Sequence, residues 1–248
     1  MTVDRSGLKT FYDVAYAHDG FGAQRRYPNE ELCRFMGRNF FGVEPANRGD
    51  VRMLEVGCGS GANLWMMARE GFDVHGVDLS PEAITLARQM LALYGTTATL
   101  AEADMTDCPY PAEHFDAIVD IFSSNCLDEQ AYEQFVAETA RLLRPGGRFF
   151  TYTPSKASDA FINHKPAKLI DASTIDGIAR ADAPFSGNSY AFRFTTPDEF
   201  AGAMERHGFQ VAYSETVGRT YRGGAEYFEF VVGSAVKSGR MKPVVMES

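Results

Sequence analysis

The hydrophobic positions of this chain fall into short apolar runs that are separated by segments with helical spacing. Between residues 51 and 153 the two patterns alternate, which is typical of a mostly parallel sheet with helices on both faces. A short apolar run predicts a buried strand at 51–56, alternation predicts a strand at 72–77, and β-branched residues predict one at 97–101. Two more strands are predicted at 115–122 and 148–153. Segments with helical spacing predict helices at 62–69, 80–94 and 128–143.

Capping residues predict where several helices begin. Ser80 and Thr196 are each followed by a proline, and a polar cap before a proline is a strong helix start. Asn29 is placed to cap a helix over 29–41, in an N-terminal part of the chain that holds no convincing strand.

The part of the chain after residue 153 departs from this alternation. The stretch 154–190 has no clear strand, and a connection of that length in a compact domain is usually a lid or a binding insertion. Two strands at 209–217 and 226–232 are expected to pair antiparallel across a short glycine turn. We expect one domain with five parts: an N-terminal cap (1–50), a ligand-binding core (51–153), a lid insertion (154–194), a C-terminal helix and hairpin (195–236) and a surface tail (237–248).

Composition excludes several classes of protein. Of the 248 residues, 45% are hydrophobic and 23% are charged, which is ordinary for a soluble globular protein. A net charge of -9 disfavours nucleic acid and anionic membranes as partners. No C-x-x-C pair occurs among the four cysteines, so we expect reduced thiols, no metal site and a cytoplasmic location. We also expect neither a signal peptide nor a membrane span, because no apolar run is long enough.

The strongest chemical signal is the sequence Glu55-Val56-Gly57-Cys58-Gly59-Ser60-Gly61, between the first predicted strand and the first core helix. Glycines permit a tight turn and let a ligand approach the backbone. Alternatively, the glycines could be needed only for steric reasons, because the chain turns sharply from a strand into a helix. The acid at Glu55 would repel a pyrophosphate but could accept hydrogen bonds from an ammonium group.

A second acid strengthens the case for a nucleoside ligand. Asp78 ends the second predicted strand, 21 positions after Gly57, where an acid in doubly wound folds accepts hydrogen bonds from ribose hydroxyls. The alternative is that Asp78 caps the next helix, a role that Ser80 fills better. Dinucleotide sites place the third glycine one position later than Gly61, so an adenosyl amino acid is favoured over NAD(P).

At this point the chain resembles the class I S-adenosylmethionine-dependent methyltransferases. The resemblance lies in five stretches in order: LEVGCGSG at 54–61, VDLS at 77–80, AEADMTD at 101–107, FDAIVDIFSSNCL at 115–127 and LLRPGGRF at 142–149. It implies an α/β fold with a doubly wound, mostly parallel seven-stranded sheet, a terminal antiparallel hairpin, a helical N-terminal cap and a lid insertion after strand five. It also implies S-adenosylmethionine as the cofactor and S-adenosylhomocysteine as the product.

The resemblance carries a set of cofactor contacts onto this sequence. The glycine-rich turn would bind the methionine end, and Asp78 would take the ribose hydroxyls. Asp104 would accept from the adenine amino group, although it could be an ordinary turn residue. Asp120 ends the fourth strand, where the family lines the methyl-transfer site, but it could instead hold Ser123 or Ser124. The full cofactor set is Glu55, Gly57, Cys58, Gly59, Gly61, Asp78, Leu79, Asp104, Met105, Asp120 and Ile121.

Catalytic and substrate residues are less sharply indicated. Asp120 and His164 are the candidates for a general base, and neither lies in a motif that singles it out. The predicted substrate residues are Tyr16, Tyr27, Phe122, His164, Tyr190, Arg193, Arg219 and Tyr221. Aromatic and basic residues suit a planar, polar or anionic small molecule, but tyrosines that cover the sheet and a charged, solvated lid would give the same pattern.

These features predict in-line transfer of a methyl group from S-adenosylmethionine to an oxygen or nitrogen of a small molecule. Two alternatives stay open. One is a regulatory protein that binds S-adenosylmethionine or S-adenosylhomocysteine without chemistry, because the acids at positions 55, 78 and 104 would serve binding alone. The other is an NAD(P)-dependent oxidoreductase, which the early third glycine disfavours.

Overall fold

A computed structural model describes residues 6–22, 25–188 and 190–239 of the chain. The described helices are α1 (Ser6–Asp19), α2 (Glu30–Asn39), α3 (Leu64–Arg69), α4 (Pro81–Leu93), α5 (Glu129–Leu142), α6 (Asp159–Ile162) and α7 (Pro197–Arg206). The described strands are β1 (Arg52–Val56), β2 (Asp73–Asp78), β3 (Thr99–Glu102), β4 (Phe115–Ile121), β5 (Leu143–Pro154), β6 (Thr174–Ile175), β7 (Phe192–Arg193), β8 (Phe209–Tyr221) and β9 (Glu226–Lys237).

The main sheet has seven strands in the order β3–β2–β1–β4–β5–β9–β8. Strands β1 to β5 run parallel, and β9 is antiparallel to both of its neighbours. The fold class predicted from the sequence is therefore confirmed, including the terminal antiparallel hairpin. Strand order reverses between β1 and β4, and in open α/β sheets ligands bind at the carboxyl ends of the strands beside such a switch point.

The helix starts predicted from capping residues are also confirmed. Asn29 accepts hydrogen bonds from the backbone N–H groups of Glu31 and Leu32, at 2.8 and 3.2 Å. The Ser80 hydroxyl caps α4, and Thr196 forms a reciprocal capping box at the start of α7.

Helix α1 was not predicted as a separate element. It packs against α4, where Tyr16 forms a small buried cluster with Ala83 and Leu86. The side chain of Asp13 also hydrogen-bonds to the hydroxyl of Ser80 at the start of α4. These contacts place α1 over the carboxyl ends of the first strands.

The stretch 154–190 contains the short strand β6, so the expectation of no strand there was wrong, and β7 follows within the insertion 154–194. Strands β6 and β7 pair antiparallel with Ile175 opposite Phe192, and each is too short to show an alternating pattern. The insertion is fixed to the hairpin by an ion pair, in which Arg180 donates to both carboxylate oxygens of the fully buried Glu226 at 2.7–3.1 Å.

The terminal hairpin is longer than predicted. Strands β8 and β9 extend to Tyr221 and Lys237, because the ladder continues through polar positions that break the apolar alternation. Lys237 therefore belongs to β9 and not to the predicted tail, of which 240–248 lies outside the described residues. No helix of the described part of the chain is long and apolar enough to cross a membrane.

Candidate functional site

A cleft of about 550 Å³ lies at the carboxyl ends of β1, β2 and β4, beneath α1 and part of the insertion. The sequence predicted 19 site residues, and the structure brings most of them to this cleft. The predicted residues that line it are Tyr16, Glu55, Gly57, Cys58, Gly59, Asp78, Leu79, Asp104, Met105, Ile121, Phe122 and Tyr190.

The glycine-rich turn presents its backbone to the cleft. Gly57 and Gly59 both have positive φ, at +59° and +51°, which glycine adopts without strain. A Cβ atom at Gly57 would lie 2.4 Å from the Ser123 side chain, and a Cβ at Gly59 would lie 3.1 Å from the Tyr16 hydroxyl. Glycine at these two positions therefore leaves space between the turn and the side chains of Ser123 and Tyr16.

Glu55 carries a buried carboxyl oxygen that lacks a partner. The side chain is 2% exposed, and its Oε1 accepts a hydrogen bond of 2.6 Å from Asn63, while Oε2 has no partner among the described residues. Burial raises the pKa of Glu55 to about 8, although the hydrogen bond from Asn63 and the charge of Arg25 act in the opposite direction. An ammonium group in the cleft would satisfy this oxygen and favour its charged form.

Asp78 connects the second strand to the glycine turn. Its Oδ2 accepts from the backbone N–H of Gly59 and its Oδ1 from that of Ser80, each at 2.9 Å. Burial raises the pKa of Asp78, while these backbone hydrogen bonds act to lower it. An ionised carboxylate can accept about four hydrogen bonds, so Asp78 has capacity for a ribose diol as well.

Asp104 follows β3 at the far end of the cleft. Its Oδ1 accepts hydrogen bonds from the backbone and the hydroxyl of Thr106, at 2.9 and 2.8 Å. Leu79 and Met105 line the cleft beside the two acids. The arrangement combines hydrogen-bond acceptors with an apolar surface, which suits an adenosine.

Asp120 does not line the cleft. It is fully buried and accepts hydrogen bonds from the backbone of Ser123 and Ser124, at 3.1 and 3.0 Å, and from the Thr151 hydroxyl at 2.8 Å. The Ser124 hydroxyl is a fourth donor. Burial raises the pKa of Asp120, against these hydrogen bonds. Asp120 thus organises the turn after β4, and the geometry does not support a role as a base or as a cofactor ligand.

Six other predicted residues also lie away from the cleft. A Cβ at Gly61 would lie 3.1 Å from Ala87, so this glycine serves the packing of α4. The Nδ1 atom of His164 lies within hydrogen-bond distance of the Phe161 carbonyl oxygen, at 2.9 Å. Tyr27 is 69% exposed, and Arg193 is buried over the ring of Tyr132. Arg219 and Tyr221 lie on β8, and none of these four residues lines the cleft.

The cleft is also lined by residues outside the predicted set, among them Tyr12, Asn63, Cys126 and Phe185. Tyr12 is one helical turn before Tyr16, and the rings are stacked with centroids 5.8 Å apart. In a helix, residues four positions apart lie on the same face, so Tyr12 could have been predicted to line the cleft beside Tyr16 if α1 had been predicted as a helix. The other three depend on tertiary contacts. Among the residues with described positions, no cluster of three potential metal ligands is found.

Comparison with known proteins gives a family match for the core of the chain. Residues 53–147 match the family model described as a methyltransferase domain. The chain is 35% identical over 107 residues to the fatty-acid O-methyltransferase of Mycolicibacterium smegmatis, across 42% of this chain and 37% of that protein. It is 32% identical over 142 residues to the demethylmenaquinone methyltransferase of Tropheryma whipplei, across 56% and 55% of the two proteins. The chain thus spans about half of these curated relatives or less.

The fold is similar to that of a solved enzyme from Burkholderia thailandensis. That protein is 1,6-didemethyltoxoflavin-N1-methyltransferase with bound 1,6-didemethyltoxoflavin and S-adenosylhomocysteine. The TM-score is 0.61 at 18% identity, over 94% of this chain and 88% of the other. At this level of identity the likeness concerns the fold alone.

Proposed function

We propose that this chain is a class I S-adenosylmethionine-dependent methyltransferase, and that it transfers a methyl group from that cofactor to a small molecule. The observation that carries the proposal is the buried Oε2 of Glu55, a residue that lines the cleft, because this oxygen has no hydrogen-bond partner among the residues that the structure describes. A cationic amino group would pair with that oxygen and favour the charged form of the carboxyl, whereas a pyrophosphate would gain no opposite charge from it.

Each part of the cofactor would have its own contacts in the cleft. Glu55 would bind the ammonium group, and the turn at Gly57 and Gly59 would take the methionine chain against its backbone. Asp78 would accept from the ribose hydroxyls. Asp104 would accept from the adenine amino group, with Leu79, Cys58, Met105 and Ile121 as the other predicted contacts in the cleft.

The protein's contribution to the reaction is orientation and exclusion of water. Bound S-adenosylmethionine supplies a methyl group that is already activated by its positive sulfur. Helix α1 and the insertion cover the cleft, and orienting two reactants can lower a barrier by about 7–11 kcal/mol in favourable cases. Since neither Asp120 nor His164 lines the cleft, we assign no general base.

We propose an oxygen or nitrogen atom of a small molecule as the acceptor. The names of two relatives support methylation at oxygen, since one is a fatty-acid O-methyltransferase and another a ubiquinone biosynthesis O-methyltransferase. The net charge of -9 argues against nucleic acid as the acceptor.

The test is transfer of a radiolabelled methyl group from S-adenosylmethionine to a panel of small hydroxylated and aminated compounds. We expect label in at least one product, and none with the Glu55→Gln variant at a cofactor concentration that half-saturates the original chain. Cofactor binding without label in any acceptor would favour the regulatory alternative. Binding of NADH in place of S-adenosylhomocysteine would overturn the proposal.

A further inference from the structure

The charged residues of the cleft are confined to one half of it. They lie on α1, in the segment before α2, or at the carboxyl ends of β1, β2 and β3, and they are Lys9, Arg25, Glu55, Asp78 and Asp104. Among the described lining residues from 121 to 190, none is a lysine, arginine, histidine, aspartate or glutamate. We call the part of the cleft that is lined by residues 121–190, together with Tyr12 of α1 that contacts Tyr190, the acceptor half. Its described residues offer no charge that would pair with an ion.

Two phenylalanines form the wall of the acceptor half. The rings of Phe122 and Phe185 lie with centroids 4.4 Å apart at an angle of 32°. Both residues have positive φ, at +60° and +65°, a conformation that is rare and costly for bulky side chains. Phe122 also contacts the rings of Phe192 and Phe230, so neighbouring aromatics help to hold this arrangement. Phe185 is 43% exposed, which leaves ring surface for a ligand.

The acceptor half also contains a group of neutral hydrogen-bonding side chains. The hydroxyls of Tyr12 and Tyr190 are 2.9 Å apart, and the Cys126 sulfur is 3.7 Å from the Tyr12 hydroxyl. Burial raises the pKa of Tyr190 and of Cys126 to about 12, and it also raises that of Tyr12. These groups are therefore uncharged at neutral pH, and a phenol hydroxyl both donates and accepts.

We propose that the methyl acceptor is the hydroxyl oxygen of an uncharged aromatic molecule. The S–CH3 bond of the cofactor would break as the O–CH3 bond forms, and the hydroxyl proton would pass to solvent water. The ring of the acceptor molecule packs against Phe122 and Phe185, and its hydroxyl joins the hydrogen bonds of Tyr12 and Tyr190. An ionic acceptor would lose its hydration in this half without gaining an opposite charge. The inference rests on the proposed function, because it names the substrate class of the same cleft.

The test compares three probes of one shape on the full chain saturated with S-adenosylhomocysteine. The probes are 2-naphthol, naphthalene-2-carboxylate and 2-naphthylmethylammonium, titrated by calorimetry at pH 7. We expect 2-naphthol to bind at least about tenfold more tightly than either ion, since tenfold corresponds to only 1.4 kcal/mol. Equal or tighter binding of an ion would overturn the inference.

Variants then locate the binding. Phe185→Leu should lower the affinity for 2-naphthol by at least about threefold, because the stacking with the Phe185 ring is lost. Phe161→Leu is the matched control, because its ring contacts Phe194 outside the cleft, and it should have no effect. Tyr190→Phe should weaken the binding of 2-naphthol but not that of 2-methylnaphthalene, because 2-methylnaphthalene has no hydroxyl that could hydrogen-bond to Tyr190.

The outcomes separate this inference from the proposed function. Binding of S-adenosylhomocysteine, combined with 2-naphthol affinity that neither Phe185→Leu nor Tyr190→Phe changes, would overturn the acceptor assignment alone. Failure of the original chain to bind S-adenosylhomocysteine would overturn the proposed function and the assignment with it.

Discussion

The carboxylate of Asp78 accepts a hydrogen bond from the backbone N–H of Gly59, with 2.9 Å between Oδ2 and nitrogen. This bond joins the end of β2 to the glycine turn after β1, and the second oxygen of Asp78 holds the start of α4 through Ser80. The residue expected to bind ribose therefore also fixes the loop expected to bind the methionine end. The two halves of the cofactor site are mechanically coupled.

Replacement of Asp78 should consequently cost more than one ligand contact. We expect Asp78→Ala to weaken S-adenosylhomocysteine binding by at least about 1–3 kcal/mol, the range for a hydrogen bond to a charged group. Calorimetric titration measures this. Glu205→Ala, which removes an exposed acid from α7, is the control and should leave affinity unchanged. An effect of Asp78→Ala no larger than that of Glu205→Ala would remove Asp78 from the site.

A side chain at Gly59 should block the cofactor. Its Cβ would lie 3.1 Å from the Tyr16 hydroxyl and inside the cleft, so Gly59→Ala should lower affinity for S-adenosylhomocysteine by at least about tenfold, or 1.4 kcal/mol. Gly95→Ala is a close control, because Gly95 also has positive φ, at +65°, but has no atom within 4 Å of the added Cβ. Similar losses of affinity in both variants would point to general strain and not to the cleft.

Glu55 should make the stability of the ligand-free chain depend on pH. Its pKa is about 8 in the folded chain against an ordinary value of 4.5, so between these values the folded state binds more protons than the unfolded state. Stability therefore falls as pH rises from 4.5 to 8, by at most about 1.4 kcal/mol per pH unit from this group.

Urea unfolding at pH 5 and pH 8 measures this contribution. Glu55→Gln removes the titration and keeps the side-chain shape, so its stability relative to the original chain should be higher at pH 8 than at pH 5. A stability difference between the two proteins that is the same at both pH values would contradict the raised pKa.

Asp120 should be required for folding stability and not for proton transfer. Asp120→Ala removes the acceptor of four hydrogen bonds in a fully buried position. We expect a loss of about 2–5 kcal/mol in the free energy of unfolding, measured with urea. Unchanged stability together with loss of methyl transfer would instead restore Asp120 as a catalytic candidate.

Local sequence signals predicted the frame of the molecule well. Ser80, Asn29 and Thr196 cap helices as expected, because a side-chain cap is a local interaction. The positions of Glu55 and Asp78 at adjacent strand ends followed from strand order alone, since carboxyl ends of parallel strands share one edge of a sheet.

The acceptor half of the cleft could not be predicted in the same way. Phe122 and Phe185 meet through the folded insertion, 63 positions apart in the sequence, and Tyr12 meets Tyr190 across 178 positions. Arg193 looked like a substrate contact because it is a cation in the insertion, yet it is buried over the Tyr132 ring, 3.8 Å from its centroid. No periodicity or spacing encodes such long-range contacts.

In the proposed function the cleft binds an adenosyl amino acid. Parallel calorimetric titrations of the full chain with S-adenosylhomocysteine and with NADH test it most directly. We expect one S-adenosylhomocysteine per chain, weakened by Gly59→Ala and not by Gly95→Ala, and no heat of binding from NADH. Saturable binding of NADH with no binding of S-adenosylhomocysteine would show that the cleft is a dinucleotide site instead.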